Sequence, residues 1–143
     1  MAIIMAVVSG ALMAIQGVWN TRVTEKLGLW FTNSIVQLVG LITSVIILLF
    51  VRDAQLDGFK EVNKFYLLAG VLGVGIVYTV VVSMAKLGPG LAVMIILITQ
   101  VIVAYLIELF GLFGTEKASF MWTKLLGVVI MAGGILLFQW KRA

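Results

Sequence analysis

The five residues KLGPG, Lys86 to Gly90, interrupt an apolar stretch that runs from about residue 65 to about residue 110. A bilayer-spanning helix needs roughly 20 apolar residues, so a single helix of that length would far exceed what a membrane requires. Pro89 is the only proline in the chain. Its fixed φ and missing N–H suit a tight turn followed by the first turn of a new helix. The stretch therefore reads as two spans, at about 65–86 and 90–110.

Working outward, three more segments have spanning length, at about 2–21, 29–51 and 122–140. The expected fold is an all-α integral membrane protein, a five-helix bundle forming one membrane domain over residues 1–143. The composition agrees. Hydrophobic residues make up 63% of the chain and charged residues only 11%, against about 25% charged in a typical soluble domain. Charge is expensive in hydrocarbon, and here it gathers between the spans, at 22–26, 52–64, 115–117 and 141–142. The N-terminal MAIIMAVV has no basic leader and no clear cleavage site, so it reads as a retained span. Segment 52–64 sets Leu56, Phe59 and Val62 among charges, which fits either a short interfacial helix or a solvated loop.

The chain has no cysteine and no histidine. Disulfides, thiolate metal sites, thiol nucleophiles and imidazole relays are therefore excluded. No Ser is set beside a base in a nucleophilic pattern, so no catalytic residue, cofactor or metal is expected, and the chain is not read as an enzyme. The basic residues are dispersed rather than clustered on one face, which argues against nucleic acid as a partner.

Five spans place the termini on opposite sides of the membrane. Arg52, Lys60, Lys64, Lys117 and Lys124 fall on the N-terminal side, and Arg22, Lys26, Lys86, Lys141 and Arg142 on the other. Basic residues in short loops normally select the cytoplasmic side. Five against five selects neither. The balance points to dual topology, with an antiparallel homodimer or an antiparallel pair with a close paralogue.

Four spans carry a polar stripe. Ser9, Gln16 and Asn20 recur at helical spacing beside a small-residue strip of Gly10, Ala14 and Gly17. The second span has Asn33, Gln37, Gly40 and Ser44, and the third has Gly75, Thr79 and Ser83 with Tyr78 nearby. The fourth has Thr99, Gln100, Tyr105 and Glu108. A Ser or Thr can bond its own helix and needs no partner. The five amides Gln16, Asn20, Asn33, Gln37 and Gln100 each offer two donors and an acceptor. They fit interhelical bonds, or a water-accessible pocket that reads a polar solute. Trp19, Tyr78 and Tyr105 would add ring faces or hydroxyls. Glu108 is the one acid placed within a span, and an intramembrane carboxylate is a functional candidate. Lys86 and Lys124 lie near span ends, where snorkelling accounts for them. The fifth span offers Gly127, Gly133 and Gly134 as a packing face between Trp122 and Trp140, with no solute contact expected.

Depth bears on how these groups combine. At about 1.5 Å per residue, Gln16 lies roughly 7 Å and Asn20 roughly 13 Å from the midplane. Glu108 lies roughly 12 Å from it on the opposite side by the same rise. In an antiparallel pair, Glu108 of one copy would reach the level of Gln16 and Asn20 of the other.

Laid out in this way, the chain resembles the YdcZ-like family of small inner-membrane proteins in the drug/metabolite transporter superfamily. The resemblance rests on Gln16 and Asn20 of GALMAIQGVWN with Gly28 beyond, on Gln100 and Glu108 of TQVIVAYLIELFGLFG, and on the glycine of KLLGVVIMAGGILL. That family commonly has Asp at the place of Glu108. The resemblance implies a half-sized, multi-pass transporter of the inner (plasma) membrane, whose relatives act as antiparallel dimers or fused inverted repeats. The small multidrug resistance proteins of that superfamily carry a glutamate in the first helix, where this chain has Gln16. The expected function is export of a small polar or charged organic solute by alternating access. A small ion channel and a non-transporting assembly subunit are the alternatives. A reporter fused to the C-terminus is expected to be found on both sides of the membrane. A single orientation, with no oppositely inserted partner, would refute dual topology.

Overall fold

The computed structural model describes residues 1–51 and 62–140. Five α-helices follow in order: α1 (Ala2–Leu27), α2 (Leu29–Val51), α3 (Ala69–Leu87), α4 (Pro89–Phe110) and α5 (Trp122–Gln139). Short 3₁₀ turns precede α3 at Lys64–Leu68 and follow α4 at Leu112–Gly114. All five helices are long and apolar enough to cross a membrane, the third counted from Lys64 to Leu87. The described residues contain no strand. Most of segment 52–64 lies outside the described residues, so its reading as an interfacial helix or a loop has no structural counterpart. Its last residues show Asn63 accepting a hydrogen bond from the Phe65 N–H at 3.0 Å, which caps the turn before α3.

Helix α1 runs past the expected boundary near Thr21 to Leu27. The extension is polar, and local bonds sustain it. Thr21 donates to the Gly17 carbonyl at 2.8 Å, and Arg22 pairs with Glu25 one turn on at 3.3 Å. The chain stops being helical only at Gly28, with φ 80° and ψ 156°. The same tripeptide, Lys-Leu-Gly, recurs at 86–88, and Gly88 has φ 79° and ψ 155°. These torsions are reached almost exclusively by glycine. Each glycine carbonyl then accepts the first bond of the next helix, from Thr32 N and from Ala92 N, both at 3.1 Å. One residue thus ends one span and starts another. Pro89 occupies the first turn of α4, as the KLGPG reading requires.

The chain divides into two compact units, Met1–Lys86 and Leu87–Ala143. In the first, α1 and α2 pack closely as a hairpin. Its buried residues are Gly17 and Asn20 on α1, Thr32 and Asn33 on α2, and Val81 and Met84 on α3. Helix α3 meets the hairpin through side chains. Met84 and Val80 fill the space over Gly17, where an added Cβ would come within 2.5 Å of the Met84 Cε. In the second unit α4 and α5 pack closely, with Ala92 buried and Phe138 lying over Gly90. Among the described residues nothing lies within 4 Å of a Cβ added at Gly127, Gly133 or Gly134.

The hydroxyls behave as expected of isolated membrane helices. Ser34, Thr43, Thr79 and Thr99 each donate to a carbonyl one turn back on their own helix, and Ser44 bonds Leu41. The two linker glycines carry a sharper consequence. Gly28→Ala and Gly88→Ala are each expected to destabilise the protein by about 1–3 kcal/mol, since a Cβ is strained at positive φ. Gly75→Ala, where nothing lies within 4 Å of the new Cβ, is expected to be neutral or slightly stabilising. Unfolding of the purified protein in a denaturing-detergent titration checks all three.

Candidate functional site

In the first unit the polar residues sort by face. On α1 the buried side is set by Gly17 and Asn20, and Thr24 is half-buried on the same side. Ser9, Gln16 and Trp19 turn outward and line an open recess along α1 with Met5 and Leu12. Gln16 and Asn20 are about 40° apart around a helix, at 100° per residue. That offset is enough to bring Asn20 into the bundle and leave Gln16 exposed. The single stripe expected from spacing is therefore divided in this unit.

Helix α2 presents Trp30, Asn33 and Gln37 to α3. The Trp30 ring stacks on Tyr78 with centroids 5.2 Å apart. The Asn33 amide nitrogen donates to the Val74 carbonyl at 2.9 Å. Gln37 lies over Gly73, its Nε2 3.4 Å from where a Cβ would stand. Asn33, Gln37 and Tyr78 are thus brought together, and Trp30 joins them. Trp30 was not among the residues singled out in the sequence. Its spacing of three and seven from Asn33 and Gln37 is the signal that could have found it.

Among the described residues of this unit, two buried oxygens have no hydrogen-bond partner, Asn33 Oδ1 and Thr24 Oγ1. Asn33 is only 2% exposed. Its amide orientation follows from the bond to Val74, which leaves Oδ1 as a free acceptor. Thr24 is four residues before Gly28 and Asn33 five after it. At about 1.5 Å per residue the two therefore lie at nearly the same level of the hairpin. Asn20 and Gln37 form the next level down by the same reasoning. The α1–α2 hairpin thus carries a polar seam.

The second unit holds Gln100, Tyr105 and Glu108 on α4. Gln100 is exposed. Glu108 is held through both its side chain and its main chain. Its carboxylate accepts from Lys124 Nζ at 3.0 Å, and its main-chain carbonyl accepts from Ala118 N at 2.9 Å and Gly111 N at 3.3 Å. Gly111, left-handed at φ 64°, ends α4 and lets the chain double back. Phe113 is left-handed too, at φ 55°, an uncommon conformation for an aromatic residue. The returning chain meets Tyr105, whose hydroxyl accepts from Met121 N at 3.0 Å. Lys124 stands over the Tyr105 ring, 4.8 Å from its centroid. Carboxylate, ring and ammonium therefore form one cluster, half-exposed at both ends of the ion pair.

Snorkelling alone does not describe Lys124, and α5 contributes more than a packing face. The available signal was its place in the first turn of a helix, where the macrodipole disfavours a cation. A lysine retained there calls for a specific partner. Among the described residues no group of three or more His, Cys, Asp or Glu is placed to hold a metal ion.

No curated protein and no solved structure gave a significant match to the chain. A family model described as "Putative inner membrane exporter, YdcZ" matches residues 1–137. That match spans the first four membrane-length helices and all but the last two residues of the fifth, and its range includes the amides of α1 and α2 and the acid of α4. This chain is a multi-pass membrane protein, and it belongs to the YdcZ family of inner membrane exporters.

Proposed function

We propose that the protein is a secondary transporter that exports a small polar or charged organic solute by alternating access between two antiparallel copies. The observation that carries this reading is the free acceptor of Asn33, buried within the bundle beside the polar seam of the α1–α2 hairpin. A buried acceptor without a partner costs about 1–3 kcal/mol. A binding site explains its retention, because a solute's donor satisfies it on arrival. The Asn33 amide is already oriented by Val74, so no ordering cost falls on the solute.

The roles follow from placement. Asn20, Asn33 and Gln37 bind the polar part of the solute, and the stacked Trp30 and Tyr78 present an aromatic edge to it. Gln16, Trp19 and Gln100 face outward, where a second copy would cover them. Glu108 and Tyr105 supply charge recognition, and the depth of Glu108 brings it to the amides only from an oppositely inserted copy. Alternating access needs an element that can move against a fixed one. Helix α3 suits that part, since it meets the tight α1–α2 hairpin through side chains rather than close backbone packing.

Export is expected to be saturable when the protein is reconstituted in vesicles and challenged with a panel of polar and charged metabolites. Asn33→Leu removes the acceptor, together with the donor to Val74, with little change of shape. It is expected to lower transport about 5- to 100-fold, the range that corresponds to one buried hydrogen bond, while the protein still elutes as a folded species. Unchanged transport in Asn33→Leu and Gln16→Ala would remove the amides from the mechanism. Flux linear in the gradient at high turnover would instead identify a channel.

A further inference from the structure

We propose that Lys124 is a tethered stand-in for the solute's cationic group, and that the Glu108–Tyr105 cluster takes a protonated alkylamine in competition with it. The proposal rests on the reading that Glu108 recognises charge, and it names the class of charge and the group that regulates access.

The geometry around Lys124 Nζ is that of an ammonium site. One carboxylate oxygen of Glu108 lies at 3.0 Å, and the Tyr105 ring centroid at 4.8 Å. A carboxylate on one side and an aromatic face within about 6 Å on another is the combination that recognises an organic cation. The receiving half is held in place independently of Lys124. The Tyr105 hydroxyl is fixed by Met121 N, and the Glu108 backbone by Ala118 N and Gly111 N. The occupying half is a compact cation on a flexible four-carbon stem.

The exposure of the ion pair makes the occupant exchangeable. The side chains of Lys124 and Glu108 are 41% and 50% exposed, and ion pairs so exposed contribute little. An anion would meet the Glu108 charge, so the cluster selects cations. A protonated amine also donates to the carboxylate, which a quaternary ammonium cannot do.

The test is calorimetric titration of the purified full-length protein in detergent with n-butylammonium. Lys124→Gln and Lys124→Met are expected to bind it about three- to tenfold more tightly than the native protein, the gain expected from removing a weak competitor. Glu108→Gln is expected to abolish binding, and tetramethylammonium to bind more weakly than n-butylammonium. Retained folding of each variant is checked by its thermal transition. A second measurement needs no variant. Trimethylammonium, which has no acylable N–H, is expected to raise the rate at which an amine-acylating reagent labels Lys124, with Lys86 unaffected. Equal or weaker binding in both Lys124 variants, or unchanged labelling of Lys124, overturns the proposal. Loss of transport with these binding results intact would count against the export reading alone. Transport of amines with no competition at Lys124 would count against this proposal alone.

Discussion

A backbone in hydrocarbon can hydrogen-bond only to itself, so a chain this apolar must be helical almost wherever it lies in the membrane. The constraint then falls on the places where the chain turns. At Gly28 and Gly88 a single residue ends one helix and begins the next, at torsions that only glycine adopts freely. Both carbonyls remain bonded, to Thr32 and Ala92. The α1–α2 hairpin depends on this economy. With one linking residue its two helices are held in register, and levels of α1 face levels of α2 at matching distance from the turn. The polar seam of Thr24 with Asn33 and of Asn20 with Gln37 is a consequence of that register.

Polar side chains within the spans meet three different fates. Most hydroxyls bond back to their own helix and are neutral toward tertiary structure. Asn33 crosses to α3 and bonds Val74, which ties α3 to the hairpin and fixes the amide so that its oxygen stays free. Gln16 and Gln100 remain exposed. An amide facing lipid is costly, so these last two fit the proposal of a second copy better than they fit an isolated chain.

Glu108 shows how a carboxylate can be kept near a membrane at modest cost. It lies at the end of α4, half-exposed, with an ammonium beside it and its own carbonyl anchoring the returning chain. The same bonds that hold the α4–α5 connection in place hold Tyr105 and Glu108 in a fixed relation. The site thereby rests on bonded backbone, and its charge partner reaches in from α5.

The sequence by itself determined the number and limits of the spans, because hydrophobic length and the glycine–proline turn are local properties of the chain. Of the expected limits, the end of α1 and the start of α3 moved by several residues, and the others agree to within one. The polar extension of α1 to Leu27 is carried by one-turn contacts such as Thr21 to Gly17 rather than by hydropathy. The start of α3 shifted because the span opens with a 3₁₀ turn at Lys64–Leu68. The candidate residues were legible too, since amides and an acid stand out against an apolar background. Which of them face each other was decided by tertiary structure. Asn20 and Gln16 differ by 40° around one helix, and only the packing of α2 and α3 says which side is inward. Tyr105, Glu108 and Lys124 are brought together by the left-handed turn at Gly111 and the chain that folds back from it, a non-local contact that helical periodicity does not encode.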